Sequence, residues 1–145
     1  MNFRAKEKLL VWDQDNEPQT NQQVLLWNGY NETIYQRSIL KSLEKNSNKL
    51  RSDYLNFIHQ LSQLRVRDKK IVEHLKIEKD LSLWWMSLLA EKGTLKSETP
   101  LNCLKLLALN QILIEDKPNS IELVSNNKLL ADSIYSLCRN LNIDF

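Results

Sequence analysis

The sequence predicts a helix-rich α/β domain with a small, mostly parallel sheet, and three observations predict it. Short apolar runs bounded by polar loops, Lys8-Leu9-Leu10-Val11-Trp12-Asp13 and Gln23-Val24-Leu25-Leu26-Trp27-Asn28, have the length and composition of buried strands. Longer stretches with helical spacing of apolar residues follow them. Near the end, Ser120-Ile121-Glu122-Leu123-Val124 reads as a strand that passes through a short polar loop into a helix, and a strand feeding a helix normally continues into a parallel partner.

The 145 residues suit one ordinary domain, read here as a single unit over 1–145. With 42% hydrophobic and 26% charged residues the composition is that of a folded protein rather than a disordered one. Twenty basic and 18 acidic side chains leave a formal charge of only +2, so no bulk field points to nucleic acid or to an anionic membrane. The first residues are basic but are followed by no apolar run of secretory length. No stretch reaches the roughly 18 apolar residues of a transmembrane helix. The sequence therefore reads as cytoplasmic, with peripheral membrane contact left open. Cys103 and Cys138 read as buried reduced thiols, although spacing alone leaves a disulfide open.

Between the first two strands, Asp13 to Gln22 is a polar loop containing Pro18. Gly29 is expected to supply a positive φ at the exit of the second strand. Glu32 to Leu43 fits either helix or strand, since Ile34, Ile39, Leu40 and Leu43 follow the helical period only loosely, and helix is the preferred reading. Leu50, Tyr54, Phe57, Ile58, Leu61 and Leu64 then define an amphipathic helix. The basic cluster Arg65, Arg67, Lys69 and Lys70 could meet phosphate on a nucleotide sugar, a lipid headgroup or nucleic acid, but with mixed charge nearby it reads as a solvated connection, and Ile71 to Ile77 as a second short helix.

Leu81 to Lys92 is the densest apolar stretch and holds two adjacent tryptophans. As a helix it places Leu81, Trp85, Leu88 and Leu89 on one face and is apolar nearly all round, so it is expected in the interior with Trp85 in the core. Gly93 would close it. Thr99-Pro100 starts the next helix, since threonine caps free amides and proline fits the first turn. That helix runs to about Ile114 with apolar side chains on more than one face. Ser125, Asn126 and Asn127 are cap candidates for a last helix carrying Leu130, Ile134, Leu137, Cys138 and Leu141 on its inner side. Asn142 to Phe145 resembles the lead into a further strand, which suggests the amino-terminal portion of something longer.

Few residues point to chemistry. Asp13-Gln14-Asp15 has the hard oxygen ligands a divalent metal takes, but no third acidic partner is in sight and the loop reading is preferred, so no metal is expected. His59 and His74 lack partners at zinc spacing. Phosphate-loop, nucleophile-elbow and dinucleotide glycine patterns are missing, and two glycines could not build them.

The wording Leu83-Trp84-Trp85-Met86-Ser87-Leu88-Leu89-Ala90-Glu91-Lys92, with Leu104-Lys105-Leu106-Leu107-Ala108-Leu109 downstream and Arg65-Val66-Arg67 and Ile71 to Leu75 upstream, resembles the amino-terminal region of a family of bacterial surface carbohydrate biosynthesis proteins, glycosyltransferases of polysaccharide or O-antigen clusters. The likeness runs from about Leu50 to Leu113. It implies two facing Rossmann-like domains, this chain being the acceptor-side, amino-terminal one, inactive alone, and the nucleotide-sugar donor resting mainly on the other. No cofactor is implied within this chain. The implied partners are a glycan or lipid-linked acceptor, with no nucleic acid. No catalytic residue carries over, and Glu91 and Lys92, the polar residues of the shared wording, are the candidates for substrate binding. The competing expectation is a stand-alone helix-rich module that binds a protein partner without catalysis.

Overall fold

The computed structural model describes residues 8–87, 90 and 98–145, which cluster into two compact units, Ser47–Leu104 and the remainder of the chain. The expected close of the tryptophan segment at Gly93, and the candidates Glu91 and Lys92, lie outside the described residues.

The first unit is built on a four-stranded, all-parallel sheet. Its strands are β1 (Leu9–Asp13), β2 (Gln23–Leu26), β3 (Gln36–Ser38) and, late in the chain, a strand over Ile121–Ser125, called βC until its number is reached below. The spatial order is β3-β2-β1-βC. The chain therefore steps outward from β1 to β3 through segments 14–22 and 27–35, which contain no helix, and returns to pair with the opposite side of β1. An α/β chain with this order is Rossmann-like, as expected. Register places Leu10, Trp12, Val24, Leu26 and Val124 on one face, where they form a cluster, while Leu9, Val11, Leu25 and Ile121 point to the other. Burial on both faces explains why these strands read as continuous apolar runs.

The reading of residues 32–43 as one helix is corrected. Gln36, Arg37 and Ser38 pair with Val24, Leu25 and Leu26, and helix α1 begins only at Ile39 and runs to Lys45. Ser38 sets the boundary: its Oγ accepts from the Lys41 amide and donates to the Gly29 carbonyl at 2.7 Å, and its own N–H reaches Glu32 Oε1 at 3.0 Å. A serine that caps a helix has extended backbone, which leaves it free to end a strand. Gly29 does not adopt a positive φ. What requires glycine there is close approach, since a Cβ would sit 2.9 Å from Leu26 Cδ1 and 3.2 Å from Leu26 Cβ.

In the second unit, α2 (Ser47–Gln63) buries Leu50, Tyr54, Ile58 and Ser62 at a spacing of four. The expected stripe is thus narrower than its apolar residues suggested, with Phe57 and Leu64 exposed. The basic connection is a hairpin, β4 (Arg65–Val66) and β5 (Lys69–Lys70), turned by Arg67 and Asp68 at positive φ. Helix α3 (Ile71–His74) follows, then a second hairpin of β6 (Lys76–Glu78) and β7 (Leu81–Ser82).

The tryptophan segment also differs from expectation. Its described start is strand β7 and a single 3₁₀ turn over Leu83–Met86, not a continuous helix. Ser82 fixes the turn, its Oγ accepting from the Trp84 amide and donating to the Val72 carbonyl at 2.7 Å. Trp84 is 6% exposed and Trp85 is 51% exposed, so the inner tryptophan is Trp84. A run apolar on every side carries no period that says which ring faces inward.

Helix α4 spans Thr99–Asp116 and buries Lys105, Ala108, Leu109, Ile112 and Leu113, which at i, i+3, i+4, i+7 and i+8 form one stripe rather than the several covered sides expected, with Leu101, Leu104 and Leu106 half-buried. The strand βC over Ile121–Ser125 is β8, and α5 (Lys128–Leu141) closes the unit with Leu130, Ile134 and Cys138 buried. Asn127 caps α5 by accepting from the Leu130 amide at 3.1 Å, and Asn142 ends it in the left-handed conformation. Beyond it, Asp144 forms a parallel bridge with Ser120, which places the last residues beside the start of β8 in the direction the strand–helix pattern predicts.

Candidate functional site

In an open parallel sheet the carboxyl ends of the strands, at the point where the connections reverse direction, form a natural crevice. Here that point lies between β1 and β8. Asp13 is the last residue of β1 and Ser125 the last of β8, and the two are register partners. Ser125 Oγ donates to Asp13 Oδ2 at 2.6 Å. The other carboxylate oxygen, Oδ1, accepts from Asn28 Nδ2 at 2.7 Å, and Asn28 Oδ1 in turn accepts from Lys105 Nζ at 2.7 Å. One amide thus stands between a carboxylate and an ammonium with its oxygen toward the cation and its nitrogen toward the anion.

Each member is held by its surroundings. Lys105, on α4, is only 4% exposed and its ammonium lies 5.4 Å from the centre of the Trp27 ring, a cation–π distance. Trp27 is itself buried and its N–H bonds the Trp12 carbonyl at 2.9 Å, which continues the sheet past β2 and delivers Asn28 opposite Asp13. The loop after β1 is tied back by Trp12 Nε1, which donates to the Asn16 carbonyl at 2.7 Å. Ser125 Oγ also accepts from the Asn127 amide at 2.9 Å, so the turn from β8 into α5 is set by the same hydroxyl that meets Asp13. The positive end of the α5 dipole opens beside this turn.

The arrangement is preorganised for recognising polar ligands. A carboxylate offers about four lone-pair directions, so Asp13 retains acceptor capacity beyond its two internal bonds. A metal reading of Asp13 and Asp15 gains nothing: Asp13 is engaged by Asn28 and Ser125, Asp15 is exposed, and no group of three or more His, Cys, Asp or Glu suited to a metal occurs among the described residues. His59 is exposed on α2, and His74 bonds the Val66 carbonyl through its ring at 2.6 Å. The thiols of Cys103 and Cys138 are free, and burial pushes both up from the ordinary range. A polar groove of about 300 Å³, lined by Glu32, Arg37, Lys41, Lys45 and Glu115 among others, has Arg37 paired with Asp116 and Lys41 with Glu32 at 3.5 Å.

Of the residues singled out in the sequence, only Asp13 belongs to this network. The sequence assigns the other three no chemistry: Ser125 reads as a cap candidate, Asn28 as the end of the second strand and Lys105 as part of the downstream leucine-rich wording. One signal for Lys105 was present, because it is the sole charged residue between Leu101 and Ile114 in an otherwise apolar helix. A lone cation in such a place is buried only when partners meet it.

Fold and network together define a Rossmann-like α/β chain with a rigid polar cluster at the switch point of its sheet. The chain matches no family model, no curated protein and no solved structure with which it was compared.

Proposed function

We propose that this chain is the acceptor-side, Rossmann-like domain of a glycosyltransferase that builds bacterial surface polysaccharide, working in the cytoplasm on a glycan or lipid-linked acceptor. The observation that carries the reading is the Lys105–Asn28–Asp13–Ser125 chain of hydrogen bonds at the carboxyl ends of β2, β1 and β8. Sugar hydroxyls are recognised by fixed carboxylate and amide groups, and a site whose polar atoms are already held in place loses little entropy on binding. Asp13 is assigned the acceptor hydroxyl, Asn28 and Ser125 orient its carboxylate, and Lys105 holds Asn28. The donor's nucleotide is assigned to a second Rossmann-like domain, so this domain by itself binds without completing transfer. The wording around Trp84 and Trp85 supports the same family.

Calorimetric titration with a panel of surface-polysaccharide oligosaccharides tests the reading. Binding that Asp13→Asn weakens about tenfold or more, in protein that still unfolds cooperatively although at a lower midpoint, is expected from the loss of a charge-assisted hydrogen bond. Saccharide binding that is indifferent to Asp13→Asn, or none across the panel, contradicts it.

A further inference from the structure

The segment from Leu64 to Met86 exposes apolar surface at an unusual density. Leu64, Val66, Leu75, Ile77, Leu81, Leu83, Trp85 and Met86 are all more than a third exposed within 23 consecutive residues. Isolated exposed leucines need no explanation, but a concentration of this kind including a half-exposed tryptophan marks an interaction surface. The segment is held as one piece: Ile71 N–H bonds the Leu64 carbonyl at 2.9 Å, Leu83 N–H bonds the Leu75 carbonyl at 2.8 Å, and the His74 ring ties α3 to Val66. The two hairpins are therefore fastened on either side of α3.

Its charge identifies the partner. The first hairpin carries Arg65, Arg67, Lys69 and Lys70 against Asp68 alone, and Lys76 and Lys79 follow on the second, where Glu78 and Asp80 are the acidic residues. Glu73 Oε2 accepts from the Lys70 amide at 2.9 Å, which fastens α3 to the end of the first hairpin. Basic side chains interleaved with exposed aromatic and aliphatic ones match an anionic lipid interface, where cations meet phosphate and tryptophan lies at headgroup depth. Six basic residues stand against four acidic ones between Leu64 and Met86, an excess that a purely apolar protein partner would leave without a counterpart.

We propose that the two-hairpin segment 64–86 docks the protein on an anionic lipid surface, the cations of the first hairpin meeting lipid phosphate while Val66, Ile77, Trp85 and Met86 enter the interfacial layer. This inference is independent of the saccharide reading.

Flotation of the full chain with vesicles tests it, comparing phosphatidylcholine alone with the same lipid containing about 30 mol% phosphatidylserine. Binding should require the anionic lipid and should weaken steeply as salt rises from roughly 0.05 M to 0.5 M, over which screening shortens severalfold. Each cation removed in the series Arg65→Gln, Arg67→Gln, Lys69→Gln should lower partitioning about fivefold. The double variant Trp85→Ser, Met86→Ser should also lower it while leaving the salt dependence in place. The Arg and Lys variants, at exposed positions, should melt within a few degrees of the parent, while Trp85→Ser, Met86→Ser should melt lower but still cooperatively, so the charge series tests lipid binding without a change in folding. Failure to bind the anionic vesicles at low salt overturns the proposal. So does lipid binding that survives both sets of substitutions, or concentration-dependent self-association that Trp85→Ser, Met86→Ser abolishes in a chain that ignores vesicles.

Discussion

Replacing the two adjacent tryptophans one at a time separates the structural role of each. A tryptophan side chain offers roughly 200 Å² to burial. Trp84 retains only 6% exposure, so at about 25 cal/mol per Å² its transfer from water is worth roughly 4–5 kcal/mol as an upper bound. Truncation to alanine also leaves a cavity, and interior tryptophan-to-alanine changes cost about 3–5 kcal/mol. Trp85, 51% exposed, buries about half as much and borders solvent that fills the space left behind, so Trp85→Ala should cost roughly 1–2 kcal/mol. The indole N–H of Trp84 finds no partner among the described residues, so Trp84→Phe, which removes that N–H and keeps an aromatic ring, should cost less than Trp84→Ala. Urea unfolding followed by circular dichroism gives all three values without relying on tryptophan emission. Equal losses at the two positions, or a larger loss at Trp85, would refute the assignment of Trp84 to the interior.

Further outcomes follow from the same contacts. Asn127→Ala removes the cap from α5 and should lower stability by about 1 kcal/mol, measured by the same unfolding curves, whereas Asn127→Asp should largely retain it. Both thiols are raised by burial, so in the native protein Cys138 and Cys103 should react with a thiol reagent at mildly alkaline pH far more slowly than in the unfolded chain, with Cys138, the more buried, slower of the two. Glu73 Oε2 accepts from the Lys70 amide at 2.9 Å, and that bond, aided by the nearby cations, holds its carboxyl below the usual carboxylate range. Its contribution is therefore complete above that ordinary range and is lost as pH falls through the lowered value, so the parent should lose more stability on acidification than Glu73→Gln, as read from unfolding midpoints against pH.

The parts of the fold that could be read from the chain were those where local pattern and tertiary burial agree. Leu9 to Asp13, Gln23 to Leu26 and Ile121 to Ser125 are buried on both faces, so their apolar runs identify them. The helices over 47–63, 99–116 and 128–141 have long periods or good caps. Strand β3 could not be told from helix because Gln36, Arg37 and Ser38 carry no apolar signal, and their extension depends on the ladder that β2 offers them. The hairpin at Arg65 to Lys70 was concealed in a similar way, since its turn places Arg67 and Asp68 at positive φ without a glycine. The network depends on strand order still more strongly. Asp13, Asn28, Lys105 and Ser125 are separated by up to 112 positions, and only the return of β8 to the side of β1 brings the first and last together.

The most direct test of the central claim is amide chemical-shift mapping of the isotope-labelled chain during titration with a surface-polysaccharide oligosaccharide that it binds. The largest shifts should fall at residues 13–16, 28–29 and 125–127, around the carboxyl ends of β1, β2 and β8, and should vanish in Asp13→Asn. Shifts confined to other residues, with these three segments unmoved, would contradict the assignment of the switch-point network as the ligand site.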